Sequence, residues 1–77
     1  MNKLQAARQN TGLSQTQLAD RAGIKLSSLQ KYERDAKDIN SAKLKTLLKL
    51  CRALSCSLED ILDDPELIEL IDLIKEK

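Results

Sequence analysis

The chain has 77 residues, a formal net charge of +1, two cysteines, one aromatic residue and no histidine, so we expect one small domain that buries only about 60% of its unfolded surface and has little room for a catalytic cavity. Without a histidine, a thiol beside a base or a glycine-rich phosphate loop, the sequence predicts neither an enzyme nor a metal or cofactor site. No apolar run approaches the roughly 20 residues of a membrane span and the N-terminus lacks the apolar core of a signal peptide, so we expect a soluble, cytoplasmic protein.

The composition favours Leu, Ile, Ala, Lys, Gln and Glu, which predicts an all-α fold. The first predicted helix has Leu4, Ala7 and Met1 on its inner face. It ends near Gly12, because glycine readily adopts the left-handed conformation that follows a helix.

The start of the second helix carries two local signals. Ser14 and Gln17 form a capping box, S-x-x-Q, in which the serine hydroxyl accepts from the backbone N–H of Gln17 and the glutamine side chain reaches back. Leu13 and Leu18 occupy the two positions of a hydrophobic staple. The second helix is therefore predicted to begin directly after Ser14.

A tight turn separates the second helix from the third. The second helix is predicted over 15–22, and Gly23 ends it in a left-handed conformation that most residues resist. The third helix follows from about Leu26 to Arg34. At 100° per residue its inner side carries Leu29, Tyr32 and Glu33. Its outer side carries Ser27, Gln30, Lys31 and Arg34.

Two further helices are predicted after the polar connection DAKDIN. The fourth begins near Ser41 and has apolar residues at three- and four-residue steps. Its predicted core residues are Leu44, Leu47, Leu48, Cys51 and Leu54. Ser57 caps a short fifth helix that ends at Leu62, with Asp60 in its third position. Its staple pair is Cys56 and Ile61.

The two cysteines, Cys51 and Cys56, do not form a zinc site, because four ligands are needed and the chain offers no histidine and no second thiol pair. Cys51 lies on the apolar stripe of the fourth helix, and Cys56 precedes a helix cap where small apolar residues pack. We interpret both as small core hydrophobic residues in a reducing compartment.

The last segment, PELIELIDLIKEK, is predicted to be a helix that opens at Pro65 behind Asp63 and Asp64. Its apolar face covers roughly 220° of the helix, which is wider than one neighbouring element requires. That face comprises Leu67, Ile68, Leu70, Ile71, Leu73 and Ile74. The first hypothesis is a homodimer interface. The alternative is a helix folded wholly onto its own domain.

The charge of the chain is divided along its length. Residues 1–52 carry eleven Lys or Arg against four Asp or Glu, whereas residues 53–77 carry two against eight. This asymmetry favours a basic surface that meets polyanions beside an acidic end that does not. Scattered solvation charge is the alternative interpretation.

Two helices of about eight residues joined by a glycine-containing turn describe a helix-turn-helix. The stretch LSQTQLADRAGIKLSSLQKYE resembles the lambda-repressor-like (Cro/repressor, XRE-type) helix-turn-helix family, and LLKLCRALSCSLEDIL resembles that family's last two helices. The matching positions are Ser14, Gln15, Leu18, Ala19, Gly23, Ile24, Leu29, Tyr32 and Glu33. The resemblance implies a compact five-helix DNA-binding domain over 1–62, followed by a short amphipathic helical tail over 63–77.

The resemblance also implies that the third helix enters the major groove of double-stranded DNA. Leu26, Ser27 and Lys31 align with the family's base-reading positions, and Ser28 and Gln30 are secondary candidates. Lysine can donate to guanine, leucine can pack on a thymine methyl, and serine can donate or accept. Without the resemblance, the same residues describe an ordinary solvated helix face.

Other positions are implied to hold the DNA backbone or the fold. The candidate phosphate contacts are Gln15, Lys25, Arg34, Lys37 and Lys43. Arg8 and Glu33 match an ion pair that ties the first helix to the end of the third. The chain departs from the family at three positions, where Lys25, Asp35 and Asn40 replace a capping Ser or Thr, a glycine and a proline.

The sequence therefore predicts a sequence-specific DNA-binding protein that acts as a homodimeric transcriptional repressor of bacterial, phage or mobile-element origin. We expect no effector domain and no ligand pocket. One alternative is an antitoxin-like protein whose tail binds another polypeptide. Another is a small helical adaptor that never binds DNA.

Overall fold

The computed structural model describes residues 2–75, which form five α-helices and two turns of 3-10 helix and contain no strand. The helices are α1 (Lys3–Asn10), α2 (Gln15–Ala22), α3 (Leu26–Glu33), α4 (Leu44–Leu54) and α5 (Pro65–Lys75). The 3-10 turns span Ile39–Ser41 and Leu58–Asp60. The predicted all-α class is confirmed. Met1, predicted on the inner face of α1, lies outside the described residues.

One hydrophobic core holds the domain together. α2 lies at its centre and packs against both α3 and α4, while α1 packs against α3 and the second 3-10 turn. The five largest side chains with almost no exposed surface come from α1 to α4 and from the residue that follows the second 3-10 turn, so these segments share one core. They are Leu4, Leu18, Leu29, Leu50 and Ile61.

The local signals around α2 predict its ends correctly. The Ser14 hydroxyl accepts from the backbone N–H of Gln17 at 3.1 Å, and the Gln17 side chain accepts from the N–H of Ser14 at 2.9 Å. Gly23 ends the helix at φ +70°, and its N–H donates to the carbonyl of Ala19. A Cβ at this position would meet no neighbouring atom, so the requirement for glycine comes from the backbone conformation alone.

The prediction for α4 is wrong in two respects. The helix begins at Leu44, because the segment around Ser41 forms a separate 3-10 turn that the Asp38 side chain caps. Leu44 and Leu48 are 61% and 51% exposed, and Leu50 is fully buried instead. Leu44 lies one turn before the buried stripe begins, and Leu48 lies about 120° around the helix from Leu54. The helix therefore turns a slightly different side towards α2 than the periodicity indicated.

The short fifth helix predicted from Ser57 to Leu62 is a single 3-10 turn. The Asp60 carboxylate accepts from the backbone N–H of Ser57 at 2.9 Å, and Ile61 and Leu62 are buried. An isolated segment of six residues repays little of the cost of starting an α-helix, so the chain makes one tight turn before Pro65.

Cys51 and Cys56 occupy the two end positions of the cap that terminates α4. Ser55 adopts a left-handed conformation at φ +52°, and the N–H of Cys56 donates to the carbonyl of Cys51 at 3.0 Å. This is the six-to-one hydrogen bond of a Schellman cap, whose two end positions normally hold an apolar contact. Both thiols are free, and burial raises the pKa of Cys56 to about 12. Their interpretation as small core residues agrees with this placement.

Only one side of α5 packs against the rest of the domain. Leu67 and Ile71 pack against the core, whereas Leu70, Leu73 and Ile74 are 49%, 53% and 74% exposed. Both ends of the helix are fastened. The segment before it is held by Asn40, whose Oδ1 accepts from the backbone N–H groups of Asp63 and Asp64 at 3.0 and 3.1 Å. At the other end, Lys75 contacts both Glu59 carboxylate oxygens at 2.6 and 2.8 Å.

Candidate nucleic-acid interface

The outer side of α3 faces solvent along its whole length. Leu29 and Glu33 are buried on the opposite side of the helix, and Tyr32 is half-buried and packs against the core. Four of the five candidate base-reading side chains are exposed and the fifth, Ser28, is half-buried. The exposed four are Leu26, Ser27, Gln30 and Lys31. The helix thus presents a polar surface that also carries one leucine.

The turn between α2 and α3 fixes the angle at which this surface is presented. Ile24 packs against the core directly after Gly23, so the turn is anchored and not merely short. Lys25 stands at the N-cap of α3 in an extended conformation, and within residues 2–75 no side chain makes the capping hydrogen bond there. The positive end of the α3 dipole therefore lies beside a lysine, an arrangement that a nearby anion would stabilise.

A buried ion pair locks α3 against α1. Arg8 Nε and Nη2 donate to the two carboxylate oxygens of Glu33 at 2.7 and 3.0 Å, and Arg8 Nη1 donates to the carbonyl of Leu13 at 2.9 Å. The two charged side chains are only 12% and 3% exposed. A bidentate pair of this kind has a single geometry, so it ties α1, the turn before α2 and the end of α3 into one unit.

Gln15 extends this pair to the surface of α3. Its Nε2 donates to Glu33 Oε1 at 3.1 Å, and its Oε1 accepts from Gln30 Nε2 at 3.4 Å. The sequence indicated Gln15 as a phosphate contact and Gln30 as a secondary base contact. Nothing in the sequence indicated that the two amides meet, because they belong to different helices and the contact depends on how α2 crosses α3.

The candidate cations lie at the two ends of α3 and along the loop that follows it. Arg34 follows α3 directly, Lys43 stands at the N-cap of α4, and both are exposed, as is Lys25. Lys37 is also exposed, and its ammonium lies 5.8 Å from the centre of the Tyr32 ring, within the range of a cation–π contact. The structure therefore places these cations around both ends of α3 and along the loop that leads to α4.

The loop between α3 and α4 tolerates the two residues that depart from the family pattern. Asp35 adopts a left-handed conformation at φ +59°, and its carboxylate accepts from Asn2 Nδ2 at 3.1 Å. Asn40 replaces a proline, and it both fastens the start of α5 and donates its N–H to Asp38 at 3.0 Å. Hydrogen bonds from Asn40, with a further one from Ser41, hold the pKa of the Asp38 carboxyl below its usual value.

The described part of the chain contains no group of three or more histidine, cysteine, aspartate or glutamate side chains placed to hold a metal ion. None of the helices in residues 2–75 is both long enough and apolar enough to cross a membrane.

The comparisons with known proteins give one match. A family model described as helix-turn-helix matches residues 4–61, which is well over half of the chain. Neither the curated proteins nor the solved structures include a match. The chain belongs to the lambda-repressor-like (XRE-type) helix-turn-helix family, a family of DNA-binding transcription regulators and not typically of enzymes.

Proposed function

We propose that this helix-turn-helix protein recognises a specific double-stranded DNA sequence through the outer side of α3 and represses transcription by occupying its operator. The observation that carries the proposal is the buried Arg8–Glu33 pair beneath an exposed polar helix face. Base-edge recognition needs side chains held in one geometry, and this pair fixes the helix that presents them. The DNA of bacteria, phages and mobile elements lies in the cytoplasm, which is the compartment we expect for such a repressor.

The base-reading residues proposed first are Leu26, Ser27 and Lys31, which lie on the exposed side of α3. Lys31 is suited to the O6 and N7 acceptors of guanine, and Leu26 to the methyl group of thymine. Ser27 can donate or accept a hydrogen bond. Ser28 contributes less because its side chain is half-buried.

Phosphate contacts are assigned to the cations around α3, because such contacts position a protein on DNA and supply much of its affinity. The assigned residues are Lys25, Arg34, Lys37 and Lys43, with Gln15 at the first turn of α2. A phosphate beside Lys25 would also compensate the unfavourable placement of a lysine at the start of α3. Lys37 can keep its contact with the Tyr32 ring while its ammonium donates to a phosphate oxygen.

A homodimer is part of the proposal. Three neighbouring apolar side chains on α5, Leu70, Leu73 and Ile74, are each at least 49% exposed, whereas Leu67 and Ile71 already pack against the core. Of the apolar residues of this helix, Leu70, Leu73 and Ile74 therefore carry the proposed interface. The half-buried Ile68 lies outside it, on the opposite side of the stripe formed by Leu67 and Ile71. Helix-turn-helix dimers bind two half-sites about 34 Å apart.

A second candidate function uses the same surface of α5. An antitoxin-like protein would cover Leu70, Leu73 and Ile74 with a different polypeptide, and its DNA binding would serve autoregulation. Ile74→Asp discriminates between the two, because Ile74 is 74% exposed and its replacement should leave the fold intact. Loss of a symmetric dimer favours the repressor, whereas an unchanged monomer in wild type and variant favours the antitoxin-like protein.

The experiment that tests the proposal is selection of binding sites from a random duplex library, with the affinity for the enriched sequence then compared with scrambled DNA at about 150 mM salt. That salt concentration suppresses much of the non-specific attraction. We expect a palindrome whose half-sites lie about ten base pairs apart. Failure to enrich any sequence would overturn the proposal.

A further inference from the structure

The exposed apolar side of α5 has a matching surface on α4. Leu44 and Leu48 are 61% and 51% exposed, and they are the exposed large apolar residues of the described chain that belong neither to α3 nor to α5. We propose that the homodimer is reciprocal, with α5 of each copy packed on α4 of the other and Arg52 paired with Glu66 across the contact. The inference rests on the homodimer of the proposed function and names the surface that covers α5.

The two helices carry exposed ridges of matching spacing. Residues four apart along a helix form one ridge on its surface. On α4 such a ridge consists of two exposed leucines followed by an exposed cation: Leu44, Leu48 and Arg52. On α5 the order is reversed, with an exposed anion followed by two exposed apolar residues: Glu66, Leu70 and Ile74. When the two ridges are laid antiparallel, apolar side chains meet at two positions and Arg52 meets Glu66 at the third.

The charges of the two helices favour this contact over a contact of α5 with itself. α4 carries three cations and no anion, whereas α5 carries three anions. Lys75, the single cation of α5, is already bound by Glu59. Two copies of α5 packed on each other would bring like charges into one interface, which is unfavourable, whereas α5 on α4 brings opposite charges together.

Arg52 and Glu66 are both free to form the proposed pair. Both residues are exposed, and within residues 2–75 neither takes part in an ion pair. Arg52 lies in the last turn of α4 and Glu66 in the first turn of α5. A guanidinium can bind a carboxylate through two parallel hydrogen bonds, so this pair would fix how the two helices are aligned.

Two-fold symmetry forms the contact twice. In a symmetric dimer, α4 of the first copy meets α5 of the second, and α5 of the first meets α4 of the second. Asn40 holds the start of α5 and lies four residues before α4 begins, so the two helices begin close together and one partner can reach both. A stable interface buries about 800 Å² on each partner, which favours the arrangement that uses both helices.

Sedimentation equilibrium of wild type, Arg52→Glu, Glu66→Arg and the double variant tests the proposal. The measurement is made without DNA, so a contact of Arg52 with phosphate cannot affect it. Each single variant places like charges at both contacts, and we expect the dissociation constant of the dimer to rise about 5- to 30-fold. The control Arg21→Glu, which reverses an exposed cation of α2, should change nothing.

Restoring opposite charges should restore the dimer. The double variant should dimerise like wild type, and an equal mixture of the two single variants should form a mixed dimer more readily than either forms a homodimer. Recovery in either case also shows that the substitutions leave the fold intact. The dissociation constant of wild type should rise with salt, because exposed ion pairs are screened.

Two results overturn the inference alone. If wild type is a dimer and Arg52→Glu dimerises equally well, or if the double variant stays as weak as the single ones, α4 does not cover α5 and the homodimer still stands. If wild type is a monomer up to its limit of solubility, both the inference and the homodimer are overturned. Selection of DNA sites tests the recognition of DNA separately from all of these results.

Discussion

α3 and α5 are both exposed on one side, but they are held in different ways. α3 rests on the fully buried Leu29 and on an ion pair with almost no exposure, and its free side is polar. α5 rests on two half-buried side chains and on contacts at its two ends, and its free side is apolar. A rigid polar face suits recognition of base edges, whereas a lightly held apolar face is suited to cover by another chain.

The largest effect should come from breaking the support of α3. Arg8→Ala leaves the Glu33 carboxylate buried without its cation, and we expect a loss of about 3 to 5 kcal/mol in the free energy of unfolding. Urea or thermal unfolding measures it. Lys45→Ala, which removes an exposed cation of α4, is the matched control and should change stability by less than about 0.5 kcal/mol. Similar values for the two variants would show that the pair does not fix α3.

Truncating a core side chain of α4 should lower the free energy of unfolding more than truncating a side chain that holds α5 on the domain. Leu50→Ala removes a fully buried side chain and should cost about 2 to 5 kcal/mol. Leu67→Ala, on the half-buried side of α5, should cost less, and Leu48→Ala should cost least because Leu48 is 51% exposed. Unfolding of the three variants under the same conditions gives this order. A larger cost for Leu48→Ala than for Leu50→Ala would contradict the orientation of α4.

The N-terminal cap of α2 should contribute about 1 kcal/mol to the free energy of unfolding. Ser14→Ala removes the acceptor for the Gln17 N–H, and the loss should appear as a lower unfolding midpoint with an unchanged denaturant dependence. Ser14→Asp supplies another acceptor and should restore most of the stability. If Ser14→Asp is no more stable than Ser14→Ala, the cap does not contribute as proposed.

The smallest effect is expected at the C-terminal end of α5. The hydrogen bond from Lys75 lowers the pKa of Glu59, and the same bond raises the pKa of Lys75. The contact is therefore present at neutral pH and is lost as the pH falls through the pKa of Glu59 in the folded state. Glu59→Gln should speed amide hydrogen exchange in the last turn of α5 at pH 7 but not at low pH, after correction for intrinsic rates. Equal protection at both pH values in wild type would contradict the tether, and Glu69→Gln is the control.

The sequence predicts those features that depend on residues close together along the chain. The capping box at Ser14, the left-handed Gly23 and the start of α5 at Pro65 all follow from local chemistry and are found where expected. The burial of Leu50 in place of Leu48 was not predictable in the same way. Both are leucines on one helix, and only the packing of α4 on α2 decides which of them is buried.

The candidate interface likewise contains features that the sequence predicts and features that only the fold shows. The exposed side of α3 follows from helical periodicity, so Ser27, Gln30 and Lys31 could be named from sequence alone. The hydrogen bond between Gln15 and Gln30 could not, because it requires the crossing of two helices and a buried carboxylate that orients the first amide. Hydrogen bonds between side chains of different helices become visible only once the fold brings the helices together.

The most direct test of the central claim, that α3 reads a sequence, compares Lys31→Ala with Arg34→Ala on the selected site and on scrambled DNA at about 150 mM salt. Lys31→Ala should weaken specific binding by about 1 to 3 kcal/mol and relax the preference at one base pair. Arg34→Ala should weaken binding to both duplexes alike, because a phosphate contact carries no sequence information. Equal losses from both variants on both duplexes would contradict the assignment of base reading to α3.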